Sequence, residues 1–594
     1  MQNDNMKYIP RGIGDFFSLK NENYYYVDKT NYIEVLEETR LKYIFFLRPR
    51  RFGKTLLIST LANYYDVNKK DTFDKIFNET YIKDNPTPLK NSYYILRFDF
   101  SKIGTSESLE KIERAFNKSI YNSIEKFYSD YKDVIANDSE FLNAYTALDS
   151  AFSLIDVFCT KMSNRNLKLY VLIDEYDNFA NNLLMDKGEE DYLSITHGTG
   201  FFRSFFTAIK AGTSSCIDRF FITGVSQLVL SDVTSGMNIG SNISFRNDFN
   251  SMTGFNDKDV EEILEYYISF DKIKREDKEE IKKIFKAYYN NYCFSENFEE
   301  RVHNPNMVLY FLDAYMSRKR IPSELIESSF ATDYRKLEYL VIKNKQISDN
   351  FNVLQEVMTN GEVASELVES FPIREIENSS EFVSLLYYLG LLTVKERAGL
   401  VKYKFCIPNL AIKKIVYGYM TRALNEVFEV KNSFIYELQN AFDKMAINGE
   451  WEKALSLCIE SYYNKTSVRD TNGKELALKM FVLAYLSFDA YHVAQSEPEL
   501  NRGYADIYLK SSILGEAYTK YEYLFEFKYI KSEDSENEER LQKTINEKLE
   551  TAKAQLKKYE ESGMLEEAKK AGREVKKIVI IGSSKKLEYM SQVE

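Results

Sequence analysis

The first 256 residues alternate short apolar runs with segments of helical periodicity. Tyr43–Leu47 is a continuous apolar run, and residues 93–98, 169–173 and 220–225 are similar. Runs of this length between helical stretches are typical of strands that are buried on both faces of a mostly parallel sheet. The pattern predicts an α/β domain over residues 1–256.

The next segment, residues 257–425, has mainly helical apolar spacing with charged outer faces. Near its end, residues 381–405 contain a helical stretch, a turn at Gly390 and two apolar runs, 391–395 and 401–405, that can pair as a hairpin. We interpret this segment as a helical lid with a small winged element.

The last segment, residues 426–594, begins with helical patterns at 433–446 and 450–463. Strand-like runs follow at 505–509 and 523–530, then a long helix and a terminal strand at 577–581. An apolar stripe on the long helix favours packing on the domain core, and self-association into a homo-oligomer stays open as an alternative. The stripe consists of Leu541, Ile545, Leu549, Ala552, Leu556 and Tyr559.

Composition narrows the class of protein. Five scattered cysteines argue against a disulfide framework and a zinc site. The longest uncharged apolar stretch, 382–394, is too short for a membrane helix, and no signal peptide is evident. We therefore expect a soluble, intracellular protein without membrane contact. Its expected compartment is the cytoplasm, or the nucleus if the source is a eukaryote. The net charge of −11 repels nucleic acid, so binding DNA or RNA would require a local basic surface.

A phosphate-binding loop is indicated where the first strand meets a helical stretch. Gly53 lets backbone N–H groups turn toward phosphate, Lys54 can reach the β- and γ-phosphates, and the Thr55 hydroxyl can bind Mg²⁺. Arg48 stands where GxxxxGK[ST] has its first glycine. A chance helix start with a basic cap is the alternative. The loop reads Arg48-Pro49-Arg50-Arg51-Phe52-Gly53-Lys54-Thr55, and Arg50 and Arg51 add charge beside the phosphates.

Two acids end the apolar run at 169–173 and strengthen this interpretation. Asp174 can hold the water shell of Mg²⁺, and Glu175 can polarise an attacking water as a general base. A solvated acidic turn is the alternative. Thr223, near the end of a third strand, can orient that water or sense the γ-phosphate, and a satisfied strand-end threonine explains it equally well.

A second charged group lies near the C-terminus. Glu526 and Lys528 are two residues apart in an apolar run and so project to one face of a strand, where Asp506 of a neighbouring strand can meet them. Two carboxylates and an ammonium suit metal-assisted phosphodiester hydrolysis. Glu499 lies just upstream, and Gln555 follows on the long helix. An ion pair on the strand is the alternative, although burying charges costs energy unless they pair or form a site.

Residues 8–256 resemble the AAA-ATPase-like family, in which the Arg-Pro-Arg-Arg-Phe-Gly-Lys loop is the usual form. The resemblance implies a P-loop NTPase core followed by the lid, with Asp28-Lys29-Thr30 near the base or sugar of the nucleotide. The matching motifs are Ile9-Pro10-Arg11-Gly12-Ile13-Gly14-Asp15-Phe16, Tyr26-Val27-Asp28-Lys29-Thr30, the phosphate loop, Leu172-Ile173-Asp174-Glu175-Tyr176-Asp177, Thr223-Gly224-Val225-Ser226, Ser235-Gly236-Met237-Asn238-Ile239 and Gly254-Phe255.

The C-terminal segment resembles the PD-(D/E)xK nuclease domain. Ser496-Glu497-Pro498-Glu499, Gly503, Asp506 and Glu526-Phe527-Lys528 match its core, and Ala554-Gln555-Leu556 with Tyr559 matches the helix that follows. Leu500 and Asn501 replace the small residues and glycine that usually approach the aspartate. The resemblance implies an active site lined by Glu499, Asp506, Glu526, Lys528 and Gln555.

Three hypotheses follow. In the first, nucleotide binding permits Mg²⁺-dependent cleavage of DNA or RNA. The metal ligands are Thr55 and Asp174 in the ATP site and Asp506 and Glu526 in the nuclease site. ATP and Mg²⁺ bind at Arg50, Arg51, Phe52, Gly53, Lys54, Thr55, Asp174 and Thr223. In the second, the protein is an ATP-dependent switch or scaffold with a silent nuclease fold. In the third, it is an ATPase motor without nuclease action.

Overall fold

The computed structural model describes residues 6–135, 150–233, 238–332, 342–343, 346–347, 350–427, 432–465, 474–486, 488–501, 503–531, 538–583 and 585–593. The chain divides into two compact units. The first unit is Met1–Asp333 with Ser365–Asn409, and the second is Tyr334–Ala364 with Leu410–Glu594. The three segments predicted from the sequence do not map one to one onto these units, and their boundaries at 256 and 425 stay predictions. Residues 235–237 of the predicted motif Ser235-Gly236-Met237-Asn238-Ile239 lie outside the described residues.

A five-stranded parallel sheet forms the centre of the first unit. Its order is β2-β3-β4-β1-β5, and the prediction of a parallel, doubly buried sheet is confirmed. The pattern succeeds because β1, β3 and the second half of β4 are almost wholly apolar and buried, whereas β2 and β5 also have polar positions that are not fully buried. The strands are β1 (Tyr43–Leu47), β2 (Tyr94–Asp99), β3 (Leu169–Asp174), β4 (Ile217–Gly224) and β5 (Ser241–Asn242).

Helices cover both faces of this sheet. On one face, Phe46, Leu172 and Phe221 pack with Leu61 of the helix Lys54–Tyr65. On the other face lies a cluster of phenylalanine rings, among them Phe98 and Phe205 with centroids 5.2 Å apart. The helices that precede residue 256 are Phe16–Asn21, Asn31–Glu38, Lys54–Tyr65, Phe73–Ile76, Tyr81–Asp84, Leu109–Asp130, Ala151–Asn164, Asn178–Lys187, Glu189–Thr196, Phe201–Gly212 and Leu228–Asp232.

The rest of the first unit is helical and ends in a hairpin. The predicted order of helix, turn and hairpin is confirmed, since Thr393–Arg397 pairs antiparallel with Lys402–Cys406. Gly390 makes the turn with φ of +76°, and a Cβ there would lie 2.7 Å from Pro49, so both conformation and space require glycine. The helices here are Asp257–Ser269, Lys278–Tyr288, Pro305–Arg318, Ser328–Thr332 and Ser379–Tyr388, and the strand Glu362–Glu366 lies where the two units divide.

The second unit contains a mixed sheet of order β6-β7-β8-β9-β10. All neighbours are antiparallel except β8 and β9, which run parallel and are joined through the long helix Glu538–Tyr559 and the helix Gly563–Lys570. The strands are β6 (His492–Ser496), β7 (Ile507–Ser511), β8 (Tyr521–Tyr529), β9 (Glu574–Gly582) and β10 (Leu587–Val593).

The apolar stripe of the long helix packs on the core of this unit, as predicted. Ala552 and Leu556 are fully buried against Leu524 of β8 and Val579 of β9. The remaining helices are Asn350–Asn360, Leu410–Val427, Asn432–Asn448, Glu452–Lys465 and Lys474–Leu486, and the two-residue strand pairs are Ile342–Lys343 with Gln346–Ile347 and Glu499–Leu500 with Gly503–Tyr504. Among the residues described, none of the helices combines the length and apolar character needed to cross a bilayer.

Candidate functional site

The predicted phosphate loop connects strand β1, which lies between β4 and β5, to the helix Lys54–Tyr65. Gly53 adopts φ of +86° immediately before the helix, a conformation that suits glycine. The Lys54 ammonium is buried and donates to the carbonyl oxygens of Arg48 and Pro49, each at 2.9 Å. Burial lowers the pKa of Lys54, although the nearby carboxylates of Glu175 and Asp174 oppose this effect. The lysine therefore lies folded against its own loop at the carboxyl edge of the sheet.

Arg48 explains why this loop does not need its first glycine. The guanidinium donates to the carbonyl oxygens of Leu47 at 2.9 Å, Ser244 at 2.6 Å and Phe249 at 2.7 Å. It lies between the rings of Phe46 and Phe294, at 4.3 and 4.2 Å. Burial lowers the pKa of Arg48 to about 10. The arginine is a structural support of the loop and does not point at a ligand.

Asp174 and Glu175 face the start of the helix, as the sequence predicts. Burial raises the pKa of both acids, and the neighbouring Thr55 hydroxyl opposes this effect at Asp174. Glu175 Oε2 accepts from the Asn178 amide at 3.0 Å, and Arg50 donates to the carbonyl oxygen of the same amide at 3.0 Å. A hydroxyl beside a carboxylate is an oxygen donor set that suits Mg²⁺.

Thr223 lies fully buried in β4, opposite Phe46 of β1 in the parallel register. Its hydroxyl oxygen has no hydrogen-bond partner among the described residues. A buried unsatisfied hydroxyl costs free energy. The geometry therefore leaves this hydroxyl available to a water or ligand at the end of the strand.

A cavity of about 410 Å³ opens beside the loop. Its size is within the usual range for small-molecule and cofactor pockets. Lys29, which sequence reasoning associated with the base or sugar, lies in the wall with its ammonium 2.5 Å from the Asp259 carboxylate. Other lining residues include Gly12, Tyr26, Tyr32, Arg51, Phe52, Gly53, Lys54, Thr55 and Glu175.

Two of the predicted loop residues have protein partners. Arg51 adopts φ of +64° and donates to the Glu327 carboxylate at 3.0 Å and to the Ser329 hydroxyl at 3.1 Å. Phe52 is buried against the ring of Tyr292, with centroids 4.9 Å apart, and so anchors the loop.

In the second unit, the structure brings Asp506, Glu526 and Lys528 together. The Lys528 ammonium lies 2.7 Å from Glu526 Oε1, and Asp506 Oδ2 accepts from the Phe527 backbone N–H at 2.7 Å. The Glu526 side chain is almost fully buried and that of Lys528 is largely covered. The upstream aspartate and the Glu-x-Lys pair on β8 thus form one cluster across two neighbouring strands.

Sequence reasoning missed a second lysine in this cluster. The Lys479 ammonium, from the helix Lys474–Leu486, is buried, hydrogen-bonded to Glu497 and 3.5 Å from Asp506 Oδ1. Burial and the charges of Glu526, Asp506 and Glu497 raise the pKa of Tyr559 to about 12. The available signal was a single lysine within an otherwise apolar helical run from Leu478 to Leu486.

Glu499 and Gln555 were also predicted at this site. Glu499 is exposed on the small hairpin, and among the described contacts its carboxylate does not touch the cluster, whereas Glu497, two residues earlier, does. Gln555 lies four residues before Tyr559 and so on the same helix face. Its side-chain oxygen is buried without a hydrogen-bond partner in the described residues.

Metal binding here would depend on few protein ligands. Within the described ranges, no group of three or more His, Cys, Asp or Glu side chains has metal-holding geometry. Asp506 and Glu526 supply two carboxylates, and the buried oxygen of Gln555 is a polar atom that needs a partner. Oxygen donors of this kind fit Mg²⁺ with several waters retained.

Together, the parallel sheet with its strand–loop–helix junction and the mixed sheet with its charged cluster have the architecture of a P-loop-type domain and a nuclease-like domain. Comparison with known families agrees. Residues 10–234 match the family model described as "Predicted AAA-ATPase", and residues 473–592 match the "PD-(D/E)XK nuclease superfamily" model. The chain therefore carries an AAA-ATPase-like domain and a PD-(D/E)XK nuclease-superfamily domain.

Individual relatives are distant. The chain is 22% identical over 539 residues to "Uncharacterized protein in vnfD 5'region" of Azotobacter chroococcum mcd 1, covering 88% of this chain and 90% of the relative. A solved Walker-type ATPase of Pyrococcus abyssi aligns with a TM-score of 0.36 and 13% identity, over 66% of this chain and 95% of that one.

Proposed function

We propose that the protein binds and hydrolyses ATP in its first unit and cleaves nucleic acid in its second, with Mg²⁺ at both sites. The observation that carries the proposal is the meeting of Lys54, Thr55, Asp174 and Glu175 at the carboxyl edge of the parallel sheet beside a cavity of about 410 Å³. ATP and Mg²⁺ are the ligands that such a loop and acid pair accept.

In the ATP site, each side chain has a defined task. The Lys54 ammonium exchanges the carbonyl oxygens of its own loop for phosphate oxygens when nucleotide binds. The Glu175 carboxylate accepts a proton from the attacking water, and its raised pKa makes it a stronger base. The Thr223 hydroxyl orients that water. Thr55 and Asp174 would hold Mg²⁺, which would neutralise charge on the phosphates.

In the second unit, Asp506 and Glu526 are the proposed metal ligands. These two carboxylates would hold Mg²⁺, which would make a bound water more acidic and offset charge on the phosphate. The Lys528 ammonium positions the attacking water or offsets the charge that develops at the phosphorus. Gln555, with its buried carbonyl oxygen, orients the water from the helix side, and Glu499 can approach only from the exposed hairpin.

One observation favours a second candidate function, an ATP-dependent switch with a silent nuclease fold. Both carboxylates of the cluster already have a lysine near them, Glu526 with Lys528 and Asp506 with Lys479. An ammonium at these oxygens offsets the negative charge that attracts a divalent cation. This alternative predicts ATP binding without cleavage of any nucleic acid.

The test is cleavage of single- and double-stranded DNA and RNA with Mg²⁺, with and without ATP. Lys528→Ala removes the ammonium of the cluster, Lys54→Ala removes the phosphate ligand, and Lys510→Ala on the neighbouring strand β7 is the matched control. We expect the wild type to cleave nucleic acid and Lys528→Ala to abolish that cleavage. Lys54→Ala should change only the response of cleavage to ATP, and Lys510→Ala should leave cleavage intact. ATP binding with no cleavage in the wild type would favour the switch.

A further inference from the structure

The hairpin of the first unit has an unusual surface. We call Thr393–Arg397, the turn at residues 398–401 and Lys402–Cys406 the basic hairpin. Its inner face is anchored, because Val394, Tyr403 and Phe405 are buried and the Tyr403 ring packs on Phe245 at a centroid distance of 5.6 Å. The outer face and the turn are exposed. The hairpin is therefore a rigidly held element that projects one face into solvent.

The charge of the basic hairpin is opposite to that of the whole chain. Four cations stand against a single acid, Glu396, whose carboxylate pairs with Lys404 at 3.0 Å. The cations are Lys395, Arg397, Lys402 and Lys404. This gives a local charge of +3 in a protein whose net charge is −11. Because the net charge of the whole chain repels nucleic acid, contact with DNA or RNA needs a local basic surface of this kind.

The cations have defined positions. The Arg397 guanidinium lies 5.7 Å from the centre of the ring of Tyr403, its partner directly across the strand pair, and the Arg397 side chain is exposed near the turn. The Arg301 guanidinium donates to the backbone carbonyl oxygens of Val394 and Lys395 and adds a further cation at the base of the hairpin. Glu296 lies near Arg397, and Glu366 belongs to the strand that pairs with Lys402–Cys406, so two further carboxylates reduce the positive potential at the base of the hairpin. The two cations beside the turn, Arg397 and Lys402, remain exposed.

The turn of the hairpin is apolar. Leu400 is 90% exposed and Val401 is 58% exposed, which makes Leu400 the most exposed large apolar side chain in the described part of the chain. An apolar side chain at the tip of a cationic β-ribbon matches the features that proteins use in the DNA minor groove, where cations contact the phosphates and an apolar wedge enters between base steps.

We propose that the basic hairpin docks on duplex DNA, with Arg397 and Lys402 on the phosphates and Leu400 in the minor groove. The inference rests on the proposed function in one respect: a nuclease-superfamily domain in the same chain makes nucleic acid the polyanion that these cations meet. It adds a substrate-holding surface that lies outside the cluster of Asp506, Glu526 and Lys528.

Binding is measured without cleavage, by fluorescence anisotropy of a short labelled duplex DNA in EDTA and without ATP. Arg397→Gln with Lys402→Gln removes two phosphate contacts, so the slope of log K against log salt should become shallower by about 1.8 and binding should weaken uniformly across sequences. Leu400→Ser should weaken binding severalfold without changing that slope. Lys102→Gln with Lys258→Gln removes two well-exposed cations elsewhere and is the matched control.

Several outcomes would overturn the proposal. The first is that the hairpin variants bind duplex DNA as tightly as the wild type, and the second is that the control pair loses as much affinity as the hairpin variants. The others are that the wild type binds duplex RNA more tightly than duplex DNA, or that it sediments with anionic vesicles but does not bind DNA. Melting temperatures of all variants within about 1 °C of the wild type exclude unfolding as the cause. If DNA binding depends on the hairpin but the wild type cleaves nothing, the nuclease function alone is refuted. If the wild type cleaves DNA and the hairpin substitutions leave that cleavage unchanged, the docking surface alone is refuted.

Discussion

Replacing Arg48 by glycine tests whether the phosphate loop depends on a buried cation. The substitution restores glycine at the first position of the GxxxxGK[ST] pattern, so the motif alone predicts a protein that binds nucleotide at least as well as the wild type. We expect a destabilised first unit instead, because the Arg48 guanidinium holds three backbone carbonyl groups in the core.

The size of the effect follows from those contacts. Hydrogen bonds to a charged group contribute roughly 1.5 to 3 kcal/mol each. The cost of keeping the guanidinium away from water offsets part of that gain, as the lowered pKa of Arg48 indicates. Arg48→Gly leaves the carbonyl oxygens of Leu47, Ser244 and Phe249 without this donor, at about 1 to 3 kcal/mol for each one that water does not reach. A loss of about 4 kcal/mol lowers the melting temperature of a cooperative unit as large as Met1–Asp333 with Ser365–Asn409 by about 5 °C.

The assay is differential scanning calorimetry of the full chain. Arg48→Lys should fall between glycine and the wild type, because an ammonium cannot reproduce the planar fork of the guanidinium. Arg50→Gly, in the same loop but only half-buried, is the control and should lower the melting temperature by less than about 2 °C. An Arg48→Gly protein that melts within about 1 °C of the wild type and binds ATP equally well would refute the reasoning.

Three further predictions concern single side chains. Burial alone would lower the pKa of His492, but the Asp489 carboxylate at 2.7 Å and a backbone carbonyl outweigh it and raise that pKa. The stability that the charged His492 contributes is therefore full below about pH 6.5 and is lost as pH rises through its raised folded pKa. The difference in melting temperature between wild type and His492→Gln should therefore shrink as the pH rises above that range. Thr223→Val should stabilise the first unit by about 1 kcal/mol in denaturant unfolding, since it removes an unsatisfied buried hydroxyl; destabilisation would mean that the hydroxyl has a partner. Lys479→Met should tighten Mn²⁺ binding at least about tenfold by titration calorimetry, because a competing ammonium is gone; weaker binding would mean that Lys479 holds the Glu497 side chain in place.

The sequence was sufficient for the parts of the fold that depend on local pattern. Strands β1 and β3 appear as apolar runs because both of their faces are buried. The long helix Glu538–Tyr559 has an apolar stripe because only one of its faces is buried. Glu526 and Lys528 could be paired from spacing alone, since residues two apart in a strand share a face.

The contacts that the sequence could not give are those made between distant elements. Lys479 reaches Asp506 across 27 positions, and this depends on how one helix packs against the sheet. In sequence, Arg48 is only a departure from the first glycine of the loop pattern, and its three carbonyl partners are what show that it faces the core. The choice between Glu497 and Glu499 depends on the φ of +49° at Glu497, which pattern reasoning does not reveal.

The path of the chain between the two units has a consequence for biosynthesis. Residues 334–364 belong with 410–594, so the chain leaves the first unit, contributes the helix Asn350–Asn360 to the second and then returns. That helix packs on Lys474–Leu486, and its Thr359 carbonyl oxygen accepts from the Ser496 hydroxyl. On the ribosome, the helix emerges more than a hundred residues before these partners. Its apolar side must remain covered in the meantime, and a nascent chain that pauses in this interval should be a client of holdase chaperones.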